Sequence, residues 1–351
     1  MSAAINARPE PVKGDFGWAG LASGRTVDPT EFLEHRSYFG LQREAGYLWG
    51  TLRDEDGNPL TFMRRLPEPS TVDATAPGTS ASLPDKLLIT AAWDGDPDMV
   101  LRKEARTAPA ASDIRRSLED GKAVFRSAAQ GRMELALGTK DAHWMEAGLV
   151  EVDGPQVGPG LQWYLPRADA AIFYPTTTWQ VEGVALGKPV KGFLFYEEAY
   201  VPPGGRLYVH HDPLLGEKLH TTWYSWATRW DDGELEFGHF LYGHDRFAIA
   251  VIGNGDGEVR VPTTMTAKVV RAADGYWCDR IDYVLDGEEW EMAADPQGRM
   301  TGLGKVPNPQ QEGLMRRKGE TREAVVWMAW GETVPQHGED RVIRRSLLGH
   351  P

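Results

Sequence analysis

Two adjacent acids, Glu197 and Glu198, stand inside a strand-like run of aromatics, GFLFYEEAY, from Gly192 to Tyr200. In a strand, neighbouring side chains point to opposite faces. Glu197 therefore shares a face with Phe193 and Phe195, and Glu198 with Leu194, Tyr196 and Tyr200. Whichever face is buried takes an acid with it. A buried carboxyl must be paired, hydrogen-bonded or kept protonated by a raised pKa. Pairing with an arginine such as Arg167 or Arg229 is one outcome. The other is a protonated acid against aromatic walls, which can protonate an alkene or enone or promote addition of water. Glu198 is favoured as the inward acid, because the tyrosines on its face can both hydrogen-bond a carboxyl and wall a cavity.

A second aromatic hairpin follows, around Asp231-Asp232-Gly233. Its first run places Trp223 with Ser225, and Tyr224 with Trp226. Its second places His239 with Phe237 and Leu241, and Tyr242 with Phe240. A lone histidine among apolar residues is commonly a core residue, yet His239 and Tyr242 lie on a strand expected to line the same barrel as Glu198, as acid/base or hydrogen-bond partners. Trp179, Trp223 and Trp226 would form a wall able to steady a developing cation. His210, His211, Asp212 and His220 fall in a turn-rich segment that does not converge adjacent histidines, so no metal is expected. GNGDG at 253–257 precedes a strand and not a helix, and reads as a turn. No GxSxG, HExxH or Walker sequence occurs.

The elements that must hold these residues are strands. Thirteen Trp, 39 Gly and 24 Pro in 351 residues favour many strands and turns over long helices. Hairpins are predicted around Asp56-Gly57-Asn58 and Gly187-Lys188-Pro189, with later turns at Ala273-Asp274-Gly275 and Asp286-Gly287, and EAVVWMAWGE closes the series. Gly192–Tyr200 and Glu323–Trp330 echo each other as aromatic strands carrying an acid. Helices are predicted from the Asp28-Pro29-Thr30-Glu31 start to about Tyr38 and near Ser112–Asp120. Residues 1 to about 27 read as a surface arm, and 68–84 as a long loop. The net charge of −13, with dispersed basic residues, argues against nucleic acid. A single cysteine, Cys278, leaves no intramolecular disulfide. With no apolar run long enough to span a bilayer, a cytoplasmic protein is expected.

Tyr164, Pro166 and Arg167, the GFLFYEEAY strand, and the Trp223–Trp226 and Asp231–Gly233 hairpin together resemble the hydroxyneurosporene synthase (carotenoid 1,2-hydratase)/AttH-like superfamily, which includes kievitone-hydratase-like proteins and Diels-Alderases. The resemblance covers residues 160–250 best. It implies an all-β fold of two lipocalin-like antiparallel β-barrel domains with few short helices: an arm and short helix to 35, a first barrel over 36–252 and a smaller one over 253–351. Together with the buried acid, it implies a cofactor-independent hydratase/dehydratase-type lyase acting on an apolar isoprenoid, phenolic or polyketide-like molecule inside a barrel cavity. Glu198 or Glu197 would act with His239 and Tyr242, and Trp179, Tyr196, Tyr200, Trp223, Trp226, Tyr164 and Arg167 would contact substrate. A non-catalytic binding protein and a pericyclase or isomerase remain open alternatives.

Overall fold

The computed structural model describes residues 21–67, 87–93, 95–127, 131–166, 171–205, 207, 220–243, 248–301, 303 and 308–333. Turn chemistry accounts for much of its connectivity. Leu186-Gly187, Asp120-Gly121 and Asp286-Gly287 each place two successive residues at positive φ (45° and 80°, 49° and 75°, 50° and 87°). That is the two-residue turn whose twist matches the strands it joins. These turns close Ile172–Ala185 on Lys188–Val201, Ile114–Glu119 on Lys122–Ser127, and Cys278–Leu285 on Glu288–Arg299. The loop between Leu41–Arg53 and Pro59–Pro67 is closed by Asp54, whose Oδ1 accepts from the amides of Asp56 (3.1 Å) and Asn58 (2.9 Å).

The hairpins build two curled antiparallel half-barrel sheets, the all-β class expected from the sequence. Among the described residues the first sheet has fourteen strands, between Leu21 and Val201, and the second has nine, between His220 and Thr333. The chain changes sheet between Val201 and His220. Within residues 220–254, His220–Trp230 pairs with Ala324–Thr333, and Leu235–Gly243 and Ala248–Asn254 follow it in the second sheet. No helix is long and apolar enough to cross a membrane among the described residues.

Each sheet fills its own curl, and a further core lies between the sheets. Lys188–Val201 runs through the first sheet between Ile172–Ala185 and Leu41–Arg53. Leu194 and Tyr196 on one face enter the curl with Leu48, Phe62 and Trp144. Phe193 and Phe195 on the other belong to the core shared with Ala227, Met328 and Trp330 of the second sheet. Covered on both sides, every residue from Gly192 to Val201 is buried, which is why the run lacks polar alternation. Tyr196 lies so close over Gly46 that a Cβ there would come within 2.2 Å of its hydroxyl.

Polar contacts also tie the sheets together. Thr51 donates to Glu312 Oε2 at 2.8 Å, and the Ala329 amide donates to Oε1 at 2.9 Å. Arg53 crosses to Asp295 Oδ2 (2.9 Å) and to the Trp327 carbonyl (3.1 Å).

The helix expectations are corrected. Asp28 does cap a turn at Pro29, accepting from Thr30 N at 3.0 Å, but the element is a 3-10 helix ending at Phe32, and Ser37–Tyr38 is a strand. Arg43 terminates it by donating to the carbonyls of Glu31 (2.9 Å), Phe32 (3.2 Å) and Glu34 (2.8 Å). Residues 114–119 form a strand because the Asp120-Gly121 turn pairs them with Lys122–Ser127. Within the expected arm, Leu21–Arg25 is a strand paired with Gly160–Leu165. Residues 1–20 and the 68–84 loop lie outside the described residues.

Candidate active site

Glu197 stands between two cross-strand neighbours, Thr176 and Tyr47. Its Oε2 accepts from the Tyr174 hydroxyl at 2.9 Å and its Oε1 from Thr176 Oγ1 at 3.3 Å. Only 3% of Glu197 is exposed. Burial pushes its pKa up to about 8, and the hydrogen bond from Tyr174 only partly offsets this. Burial therefore favours the neutral carboxylic acid near pH 7.

From the second sheet, His239 brings Nε2 to 3.9 Å from Glu197 Oε1, while its Nδ1 lies 2.7 Å from Ser225 Oγ. Ser225 and His239 are cross-strand partners, so the hairpin register sets this pair. Burial lowers the imidazole pKa to about 3 and keeps it neutral. Its Nε2 has no hydrogen-bond partner among the described residues.

Glu197 and Ser225 line a cleft between the two sheets, not inside either curl. Trp49 and Tyr174 wall it from the first sheet, Trp223 and Trp330 from the second. The Trp223 ring meets Tyr174 edge-on at 5.3 Å, and Trp330 meets Trp49 edge-on at 5.1 Å. The inner space is about 60 Å³; with its mouth open to solvent the cleft spans about 520 Å³. It presents a neutral acid among aromatic faces, the surroundings in which a proton donor and a cationic intermediate are both stabilised.

Glu198 goes elsewhere. Its carboxylate is ion-paired with Arg43 and accepts from Tyr200 at 3.1 Å, both partners being buried. Since Arg43 also holds three carbonyls of the 3-10 turn, this acid is bound into the structure at the end of the first sheet's curl. Of the two acids it is Glu197, not the favoured Glu198, that lines the cleft: both faces of the strand are buried, and the cation lies on the tyrosine face.

The remaining expected residues scatter. Trp223 lines the cleft. Tyr196 and Trp179 fill the first curl, Trp179 donating to the Gly138 carbonyl at 3.2 Å. Trp226 packs in the second curl with Phe240 and Trp290. Tyr200 packs on Tyr38 and Phe173, and Tyr164 stacks on Phe39 with ring centres 4.4 Å apart. Tyr242 follows the parity of Phe240, opposite to His239. Arg167, His210, His211 and Asp212 lie outside the described residues, as does the side chain of His220.

No protein-family model and no curated protein matches the chain. Among solved structures it is similar to an AttH protein from Nitrosomonas europaea. That likeness covers 92% of this chain and 98% of the other at 16% identity, with a TM-score of 0.48. Kievitone hydratase from Nectria haematococca is similar over 88% of this chain and 96% of its own at 9% identity (TM-score 0.40), and CghA over 91% and 99% at 11% identity (TM-score 0.40).

Sequence reasoning missed Tyr174, Ser225, Trp49, Trp330 and Glu332, all of which line the cleft. A signal existed for Trp330 alone: the echo strand Glu323–Trp330 contains it, but the acid of that run is Glu323, and Glu332 lies two residues beyond its end.

Proposed function

We propose that the chain is a cofactor-independent lyase of the hydratase/dehydratase type, acting on a small apolar aromatic or polyene-like molecule in the inter-sheet cleft, with Glu197 as proton donor. One observation carries this: a buried carboxyl, its pKa pushed up by that burial, faces an aromatic cleft. Donation from Glu197 to an alkene carbon, or to a departing hydroxyl, leaves positive charge that the faces of Trp49, Trp223 and Trp330 attract. His239, held by Ser225, keeps the acid in a neutral, water-poor setting and accepts no charge itself.

The test is a panel of unsaturated and hydroxylated aromatics incubated in deuterated water, with binding followed by tryptophan fluorescence. Wild type should incorporate solvent deuterium into the hydration product of an unsaturated compound, or eliminate water from a hydroxylated one. Glu197→Gln should bind as tightly and lose turnover by roughly 10²-fold or more. Equal turnover by Glu197→Gln overturns proton donation and favours a pericyclase, for which the amide N–H still serves as a donor. No product from any compound, with binding intact, favours a binding protein.

A further inference from the structure

We infer that Glu332 is the general base of the same cleft, facing Glu197 from the opposite sheet. This rests on the proposed lyase reading but names a group that the reading does not use. Glu332 lies near the end of Ala324–Thr333, with Trp223 as its cross-strand partner on one side and Gln310 on the other, and it lines the cleft together with Glu197.

Its environment differs from that of Glu197 in kind. Asn308 Nδ2 donates to Oε1 at 2.9 Å and Gln310 Nε2 donates to Oε2 at 2.6 Å. The Gln310 amide has only one workable orientation, because Trp330 Nε1, a donor without acceptor capacity, points at Gln310 Oε1 from 3.0 Å. The NH₂ group must therefore face Glu332. The two amide donors fix the orientation of the Glu332 carboxyl at the cleft wall. Two buried carboxyls line one cleft from opposite sheets, Glu197 held by hydroxyls and Glu332 by amide N–H donors, the placement that an acid/base pair requires.

In hydration, water gives a proton to Glu332 as its oxygen bonds to one alkene carbon, and Glu197 gives its proton to the other. Water is added across the double bond, and Glu332 then returns a proton to Glu197 through solvent. For a hydroxylated substrate, Glu197 gives its proton to the departing hydroxyl, which leaves as water, and Glu332 takes the proton from the neighbouring carbon.

A probe that needs only a base in an aromatic cleft separates this claim from the lyase reading. 5-Nitrobenzisoxazole loses its C3 proton to a base as the N–O bond breaks, giving a nitrile and a phenolate, with no water added. Wild type should accelerate this ring opening. Glu332→Gln should slow it by roughly 10²-fold, and Glu332→Ala should recover rate in proportion to added formate, which a merely misfolded variant would not. A wild-type rate no faster than buffer, a rate that does not fall on acidification, or a Glu332→Gln rate within twofold of wild type overturns the assignment. If ring opening depends on Glu332 while no compound takes up solvent deuterium or loses water, the base stands and the lyase reading falls. If deuterium uptake depends on Glu197 and Glu332→Gln matches wild type in both assays, the reverse holds.

Discussion

His239 Nε2 stands 3.9 Å from Glu197 Oε1, beyond hydrogen-bond length, and both groups are neutral near pH 7. An ion pair would have pulled the carboxyl toward ionisation. Burial acts the other way on both residues: it raises the acid and lowers the imidazole, so the proton stays on Glu197. The acid is available for donation because its neighbour from the facing sheet declines the proton.

Activity should follow the protonated fraction of Glu197. Turnover is expected to hold from weakly acidic to neutral pH and to fall as pH rises through about 8. A kcat/KM profile of the deuterium-incorporating reaction checks this, and a rate still rising above pH 9 would contradict it.

Ser225→Ala removes the hydroxyl 2.7 Å from His239 Nδ1 and leaves a buried ring nitrogen without its partner. The expected cost is about 1–3 kcal/mol of folding stability, read by urea denaturation. Ser225→Thr, which keeps the hydroxyl, should recover most of it.

Arg43→Met should be far more damaging than its distance from the cleft suggests. It strands the buried Glu198 carboxylate and releases three carbonyls of the 29–34 turn, a loss of about 3–5 kcal/mol for a broken buried pair. The double variant Arg43→Met/Glu198→Leu should regain much of this. Ligand binding in the cleft should be unaffected by Glu198→Gln.

Stability should decline with rising pH. Glu197 and Glu312 are both raised by burial, to about 8 and about 7, from an ordinary value of 4.5. Each holds its proton more tightly when folded, so the stabilisation is complete below about pH 4.5 and is lost as pH climbs through 7 to 8. The slope in that window is about 1.4 kcal/mol per pH unit for each such group. Denaturant melts across pH should steepen accordingly, and Glu312→Gln should flatten the curve between about 4.5 and 7.

Turn chemistry made most of the fold legible. Asp286-Gly287, the Asp54–Asn58 loop and the Asp231–Gly233 turn are local conformational demands, readable without knowing what the strands pack against. The two failed helices had local signals as well, but Arg43 and the Asp120-Gly121 hairpin overrode them. The candidate site was half legible: the glutamate pair stood out as an anomaly of burial, while its sorting between faces did not.

From its sequence alone, the chain is committed to antiparallel strands, to an acid on each face of Gly192–Tyr200, and to enough tryptophan for aromatic walls. Strand parity and turn residues are properties of neighbours along the chain. Which acid meets a cation is not: Arg43 lies 155 residues before Glu198. Stacking the first sheet on the second decided the rest, because it buried Glu197 beside His239 and Ser225, placed Glu332 across the cleft, and left Glu198 to an arginine.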